Sequence, residues 1–122
     1  MHVKGLSWMG VKTAKFDELS HFFRQVLGLS AIQEEQDFVV FQLPNKDLVE
    51  IFGPDGPDTD FEPDSPVCGF LVEDIEQARQ ELLQAGVELL GPLQRMPDGY
   101  AWQNFRGPNG SVYELTYDPE HL

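Results

Sequence analysis

Apolar positions along the chain run through the same succession of periods twice. Residues 3–13 (Val-Lys-Gly-Leu-Ser-Trp-Met-Gly-Val-Lys-Thr) read as a strand. Helical spacing follows, with Phe16, Leu19, Phe22, Phe23, Val26 and Leu27 on one face. Gly28 stands where a left-handed C-cap belongs. Short strands at 32–36, 38–43 and 48–52 complete the first unit, divided by Glu35-Gln36-Asp37 and Pro44-Asn45-Lys46-Asp47.

The second half repeats the order. A strand at 67–72 leads to Asp74, a helix N-cap whose capping box is completed by Gln77. Ile75, Ala78, Leu82, Leu83 and Ala85 form the apolar stripe, and Gly86 ends the helix. Strands at 93–96, 101–106 and 111–117 follow, with Pro97-Asp98-Gly99 and Gly107-Pro108-Asn109-Gly110 as turns. The ends of the halves match most closely. Pro44-Asn45 before Leu48-Val49-Glu50-Ile51 mirrors Pro108-Asn109 before Val112-Tyr113-Glu114-Leu115, with a glutamate six residues after each proline.

This pattern predicts one α+β domain over residues 1–122, in two modules of about 1–53 and 67–122. The connector, about 54–66, lies in a stretch from Gly53 to Pro66 with four prolines, two glycines and five acids (Asp55, Asp58, Asp60, Glu62 and Asp64). Prolines and like charges oppose regular pairing there.

Strand alternation places the two matched glutamates. Val49 and Ile51 share the face that packs under a helix, so Glu50 points the other way with Leu48 and Phe52. Tyr113 and Leu115 likewise leave Glu114 on the opposite face with Val112 and Thr116. Each glutamate is expected on the concave side of its module, lining a cleft for a small molecule.

Composition narrows the partners. An apolar fraction of 41% supports a real core. Eight Lys and Arg against 21 Asp and Glu leave a net charge of −13, which argues against nucleic acid and favours either a solvated acidic surface or attraction of a cationic ligand. No apolar run reaches the roughly 18–20 residues of a membrane span, and the N-terminus lacks the apolar stretch of a secretory signal. The single cysteine, Cys68, cannot form an intrachain disulfide. Together these predict a cytoplasmic protein with neither membrane nor nucleic-acid partner.

The chain resembles the vicinal oxygen chelate superfamily, the glyoxalase/bleomycin-resistance/dioxygenase fold. The resemblance rests on Phe22-Phe23-Arg24-Gln25-Val26-Leu27-Gly28-Leu29, on Phe70-Leu71-Val72-Glu73-Asp74-Ile75, and on Gly107-Pro108-Asn109-Gly110-Ser111-Val112-Tyr113-Glu114-Leu115. It implies paired βαβββ modules in tandem, forming a curved mixed sheet around the cleft. Metal-dependent members draw four ligands from the first and last strands of the modules. Those positions fall here on Trp8, Glu50, Val67 and Glu114. Indole and isopropyl groups donate nothing to a metal, which leaves only Glu50 and Glu114 as metal donors.

The resemblance also implies metal-free, dimeric members that bind drugs in pockets lined by aromatics and acids. The reading that follows is a homodimeric, metal-independent binder of a small cationic or aromatic compound such as an antibiotic, with no cofactor and no catalysis. Trp8, Glu50, Val67 and Glu114 would line the cleft, with Trp102, Asn104 and Arg106 as further contacts. A glutamate buried beside Trp8 would be desolvated, and so have a raised pKa unless a cation compensates. The alternative is a glyoxalase-like lyase or isomerase, with Glu50 or Glu114 as general base and a divalent ion such as Zn, Ni or Mg as cofactor.

Overall fold

Both modules fold in the order read from the sequence. The computed structural model, which describes residues 1–121, contains β1 (Val3–Lys12), α1 (Phe16–His21), β2 (Ser30–Glu35), β3 (Phe38–Gln42) and β4 (Leu48–Phe52) in the first. The second contains β5 (Val67–Val72), α2 (Ile75–Gln84), β6 (Glu88–Arg95), β7 (Ala101–Arg106) and β8 (Val112–Tyr117). The class is α+β, and the strands form mixed sheets: β1 runs parallel to β4 and β5 parallel to β8, while the remaining pairs within each half are antiparallel.

One compact unit spans Trp8–Val67, with strands in the order β2-β3-β4-β1. Its core is Val11, Val39, Phe41, Val49 and Ile51, packed under Met9, Phe16, Leu19, Phe23, Leu29 and Ala31. These are the alternate residues of β1, β3 and β4 that face the helix. The other unit joins Met1–Ser7 to the chain from Cys68 on, in the order β5-β8-β7-β6. Val72, Ile75, Ala78, Ala101 and Leu115 form its core, with Phe70, Leu82, Leu93, Phe105 and Tyr117 against it. The start of β1 is tied into this unit through the Met1 ammonium on Glu81 and Lys4 Nζ on Glu73, the latter at 2.7 Å.

The first helix departs from its expected stripe. After Phe16–His21 the backbone widens into a π turn over Phe22–Val26, where Leu27 N–H reaches back five residues to the Phe22 carbonyl at 3.1 Å. The wider turn shifts the phase of every later side chain. Phe23 still packs into the core, but Phe22, Val26 and Leu27 are exposed, contrary to the simple 3.6-residue reading. Gly28 takes the left-handed conformation expected of it, at φ 74°.

The second helix keeps its predicted cap: Asp74 Oδ1 accepts from Gln77 N–H at 3.0 Å. Ile75, Ala78 and Leu82 lie on its inner face at the i, i+3, i+7 spacing, whereas Leu83 and Ala85 fall off it and are exposed. The strand expected at 93–96 begins earlier, at Glu88, because the register shifts between Leu90 and Gln94 and lets Gly91-Pro92 sit within it. Gln103, fully buried on β7, holds this irregularity. Its Nε2 donates to the Gly91 carbonyl at 2.9 Å, and its Oε1 accepts from Arg79 Nε at 2.8 Å.

Candidate functional site

Alternation on β1 and β4 sends Met9, Val11, Val49 and Ile51 to the helix, so Trp8, Gly10, Leu48, Glu50 and Phe52 occupy the opposite face. Gly10 is the register partner of Glu50, two residues along from Trp8. The indole lies down over Gly10: a Cβ built there would come within 2.2 Å of the ring. Only glycine leaves that space. The ring thereby arrives beside Glu50, and its N–H donates to the carboxylate.

Burial pushes the Glu50 carboxyl up from 4.5 to about 7, and the Trp8 hydrogen bond opposes the rise only in part. Desolvation of the charged form outweighs the single neutral donor.

The indole is also met by an aromatic ring from the connector. Phe61 is 6% exposed, and its ring stands 5.9 Å from that of Trp8 and 5.6 Å from that of Phe52. Phe52 in turn meets Phe38 at 5.1 Å. Alternation did not reveal Phe61, because it lies outside any strand or helix. The available signal was a lone aromatic in an acidic, proline-rich stretch. Val67, at the end of this unit, is buried.

In the second unit Leu115 and Phe105 serve the core, which puts Trp102, Asn104, Arg106, Val112, Glu114 and Thr116 on the other face. Asn104 pairs in register with Glu114, and Trp102 with Thr116. Glu114 is 3% exposed, and Thr116 Oγ1 lies 3.5 Å from its carboxylate. Asn104 Oδ1 is buried with no hydrogen-bond partner among the described residues, and Trp102 packs against Tyr100 at 6.1 Å. Arg106 turns away from these groups. It donates to the Gly110 carbonyl at 2.8 Å and lies 3.8 Å from Glu88.

The four positions that would carry a family metal do not fit one. Trp8 and Val67 present no lone pair, and among the described residues no group of three or more His, Cys, Asp or Glu is placed to hold an ion. No chemistry at this site is therefore derived through a metal.

Comparison with known proteins bears on the whole chain. The family model of the Glyoxalase/Bleomycin resistance protein/Dioxygenase superfamily matches residues 5–115, and the chain belongs to that superfamily. A search of curated proteins finds no match. Among solved structures the chain is similar to methylmalonyl-CoA epimerase from Mycobacterium tuberculosis, at 19% identity and a TM-score of 0.72 over 97% of this chain and 91% of that one. It is also similar to a superfamily member from Vibrio splendidus, at 20% identity and a TM-score of 0.66 over 90% of this chain and 96% of that one. The Mn(II)-bound glyoxalase from Novosphingobium aromaticivorans gives 18% identity and a TM-score of 0.75 over 95% of this chain, but only 39% of its own length is covered. Likeness at such identities establishes the fold alone.

Proposed function

We propose that this protein binds a small cationic aromatic compound without a resident metal, in the manner of the bleomycin-resistance branch of its superfamily. The observation that carries the reading is the Glu50 carboxyl, desolvated to a pKa of about 7 beside the Trp8 indole. A cation placed there restores the electrostatic stabilisation that burial removed, and an aromatic ring on the same ligand finds the flat face of Trp8. The net charge of −13 adds a long-range field of the right sign. Val67, buried in the same unit as Trp8 and Glu50, is proposed as apolar lining. Glu114, Asn104 and Trp102 are proposed as ligand contacts on the sheet face of their own module.

The experiment is a thermal-shift panel in EDTA comparing cationic with anionic aromatic compounds. Cationic members should raise the Tm by several degrees, and Trp8→Ala should remove the shift. Stabilisation by anionic members alone, or only after Mn²⁺ is added, contradicts the reading.

A second reading draws on the same carboxyl. At a pKa of about 7, Glu50 is half ionised at neutral pH and suits proton abstraction next to a carbonyl. An epimerase and a glyoxalase stand among the proteins that share this fold. Its signature is deuterium wash-in at the acidic carbon of an acyl thioester in D2O. That exchange should be lost in Glu50→Gln, and its absence from the wild type removes the reading.

A further inference from the structure

The indole of Trp8 is enclosed by its own chain. Gly10 lies against its benzo edge, and the Phe61 ring meets it from the connector at 5.9 Å with the planes tilted by 55°; Trp8 is only 5% exposed. A ring stacking on Trp8 therefore needs the place that Phe61 holds. We infer that Phe61 is the specificity-determining residue of this site: a built-in aromatic that occupies the ligand face of Trp8 and yields only to a flat ring able to replace its contacts. The inference rests on the proposed function for its ligand class, but its geometric half stands alone.

The connector is built for such an exchange. Its start is pinned to Asp37, whose carbonyl accepts from Gly53 N–H and whose carboxylate accepts from Asp55 N–H, both at 2.8 Å. Gly56 is pressed against the same residue, since a Cβ there would lie 2.1 Å from the Asp37 carbonyl oxygen. Its end is pinned to β1, where Asp64 N–H donates to the Lys12 carbonyl at 2.7 Å and Pro63 bridges Lys12. Between these anchors, Phe61 N–H reaches Thr59 Oγ1 at 3.3 Å, a bond within the connector itself.

Between the anchors, the Phe61 ring holds residues 57–62 to the sheet through Trp8 and Phe52. A ligand ring that takes over those two contacts frees the segment without disturbing either anchor. An aliphatic cation cannot reproduce them and leaves Phe61 in place. Asp60 and Glu62 flank Phe61 and are exposed, so they meet the positive end of an incoming ligand first.

The test uses the whole protein carrying 5-fluorotryptophan, with the Trp8 resonance assigned by its loss in Trp8→Phe. The nitroxide TEMPOL probes exposure and proflavine serves as the cationic ring. Phe61→Ala should broaden the Trp8 signal under TEMPOL severalfold more than in wild type. It should also tighten proflavine binding by about tenfold, since the competing apolar burial is gone. Phe61→Leu should fall between, and it carries the same prediction if Phe61→Ala does not fold. A Trp8 signal equally protected in a folded Phe61 variant overturns the inference. So does weaker proflavine binding with Trp8 exposed, because Phe61 would then be a wall of the site rather than an occupant. If Trp8 becomes exposed and neither protein binds proflavine, the proposed ligand class fails while the position of Phe61 over Trp8 stands.

Discussion

The Trp8 indole donates to the Glu50 carboxylate across Gly10, and this contact links an aromatic surface to a titrating acid. The hydrogen bond favours the charged carboxylate while burial disfavours it, so the pKa of Glu50 reports the balance. Trp8→Phe removes the donor and keeps the ring. The Glu50 carboxyl should then titrate higher than in wild type, as read from the side-chain carboxyl ¹³C shift against pH. An unchanged or lower value contradicts the contact.

The same carboxyl makes stability depend on pH with a definite sign. Glu50 has a folded pKa of about 7 against 4.5 for the free group. Between those values the folded chain holds a proton that the unfolded chain has lost, so the contribution of Glu50 to stability is fully present below pH ~4.5 and is lost as pH rises through ~7. The loss is on the order of 3–4 kcal/mol, since each pKa unit is worth about 1.4 kcal/mol. Urea melts of wild type and Glu50→Gln should diverge over that window, with the variant the more stable at pH 8. Parallel curves refute the shift.

Gly10 is expected to tolerate no side chain. A methyl group there would meet the indole at 2.2 Å, so Gly10→Ala must lift the Trp8 ring off the strand. Overpacking of this kind costs about 1–3 kcal/mol. Urea denaturation should show that loss, and near-UV circular dichroism should show the tryptophan signal changed. A variant identical to wild type in both contradicts the placement of the ring.

In the second module the strongest structural prediction falls on Gln103. Gln103→Ala leaves the Gly91 carbonyl and the Arg79 guanidinium without their shared partner and opens a cavity on β7. Together these should cost about 2–4 kcal/mol in a chemical melt. A loss below about 0.5 kcal/mol would show that water replaces the network freely.

Much of this fold was legible because hydrophobic period and turn residues carry it. Asp74 with Gln77, Gly28, and the alternation that turns Glu50 and Glu114 away from the cores all appear in the structure as read. Legibility ended where backbone geometry left the ideal period. The π turn at Phe22–Val26 moved three apolar residues to the surface, and a five-residue hydrogen bond has no signature in a 3.6-residue pattern. The bulged strand β6 hid its own beginning for the same reason. At the candidate site, Trp8 and Glu50 could be placed on one face, but their contact depends on Gly10, whose role is steric and invisible to periodicity. Phe61 depends on how an irregular segment folds back, which no local rule encodes.

The central claim is that Glu50 beside Trp8 receives a cationic aromatic ligand without metal. Its most direct test is calorimetric titration of proflavine into EDTA-dialysed protein at pH 7, in two buffers of different ionisation enthalpy, with Glu50→Gln alongside. A cation bound there pulls the Glu50 pKa down, so the wild type should bind with net proton release. That release should be absent in Glu50→Gln, and affinity should fall about tenfold or more, as expected for losing a desolvated charge partner. Binding that requires an added divalent ion, or that proceeds with equal affinity and no proton release in both proteins, contradicts the account.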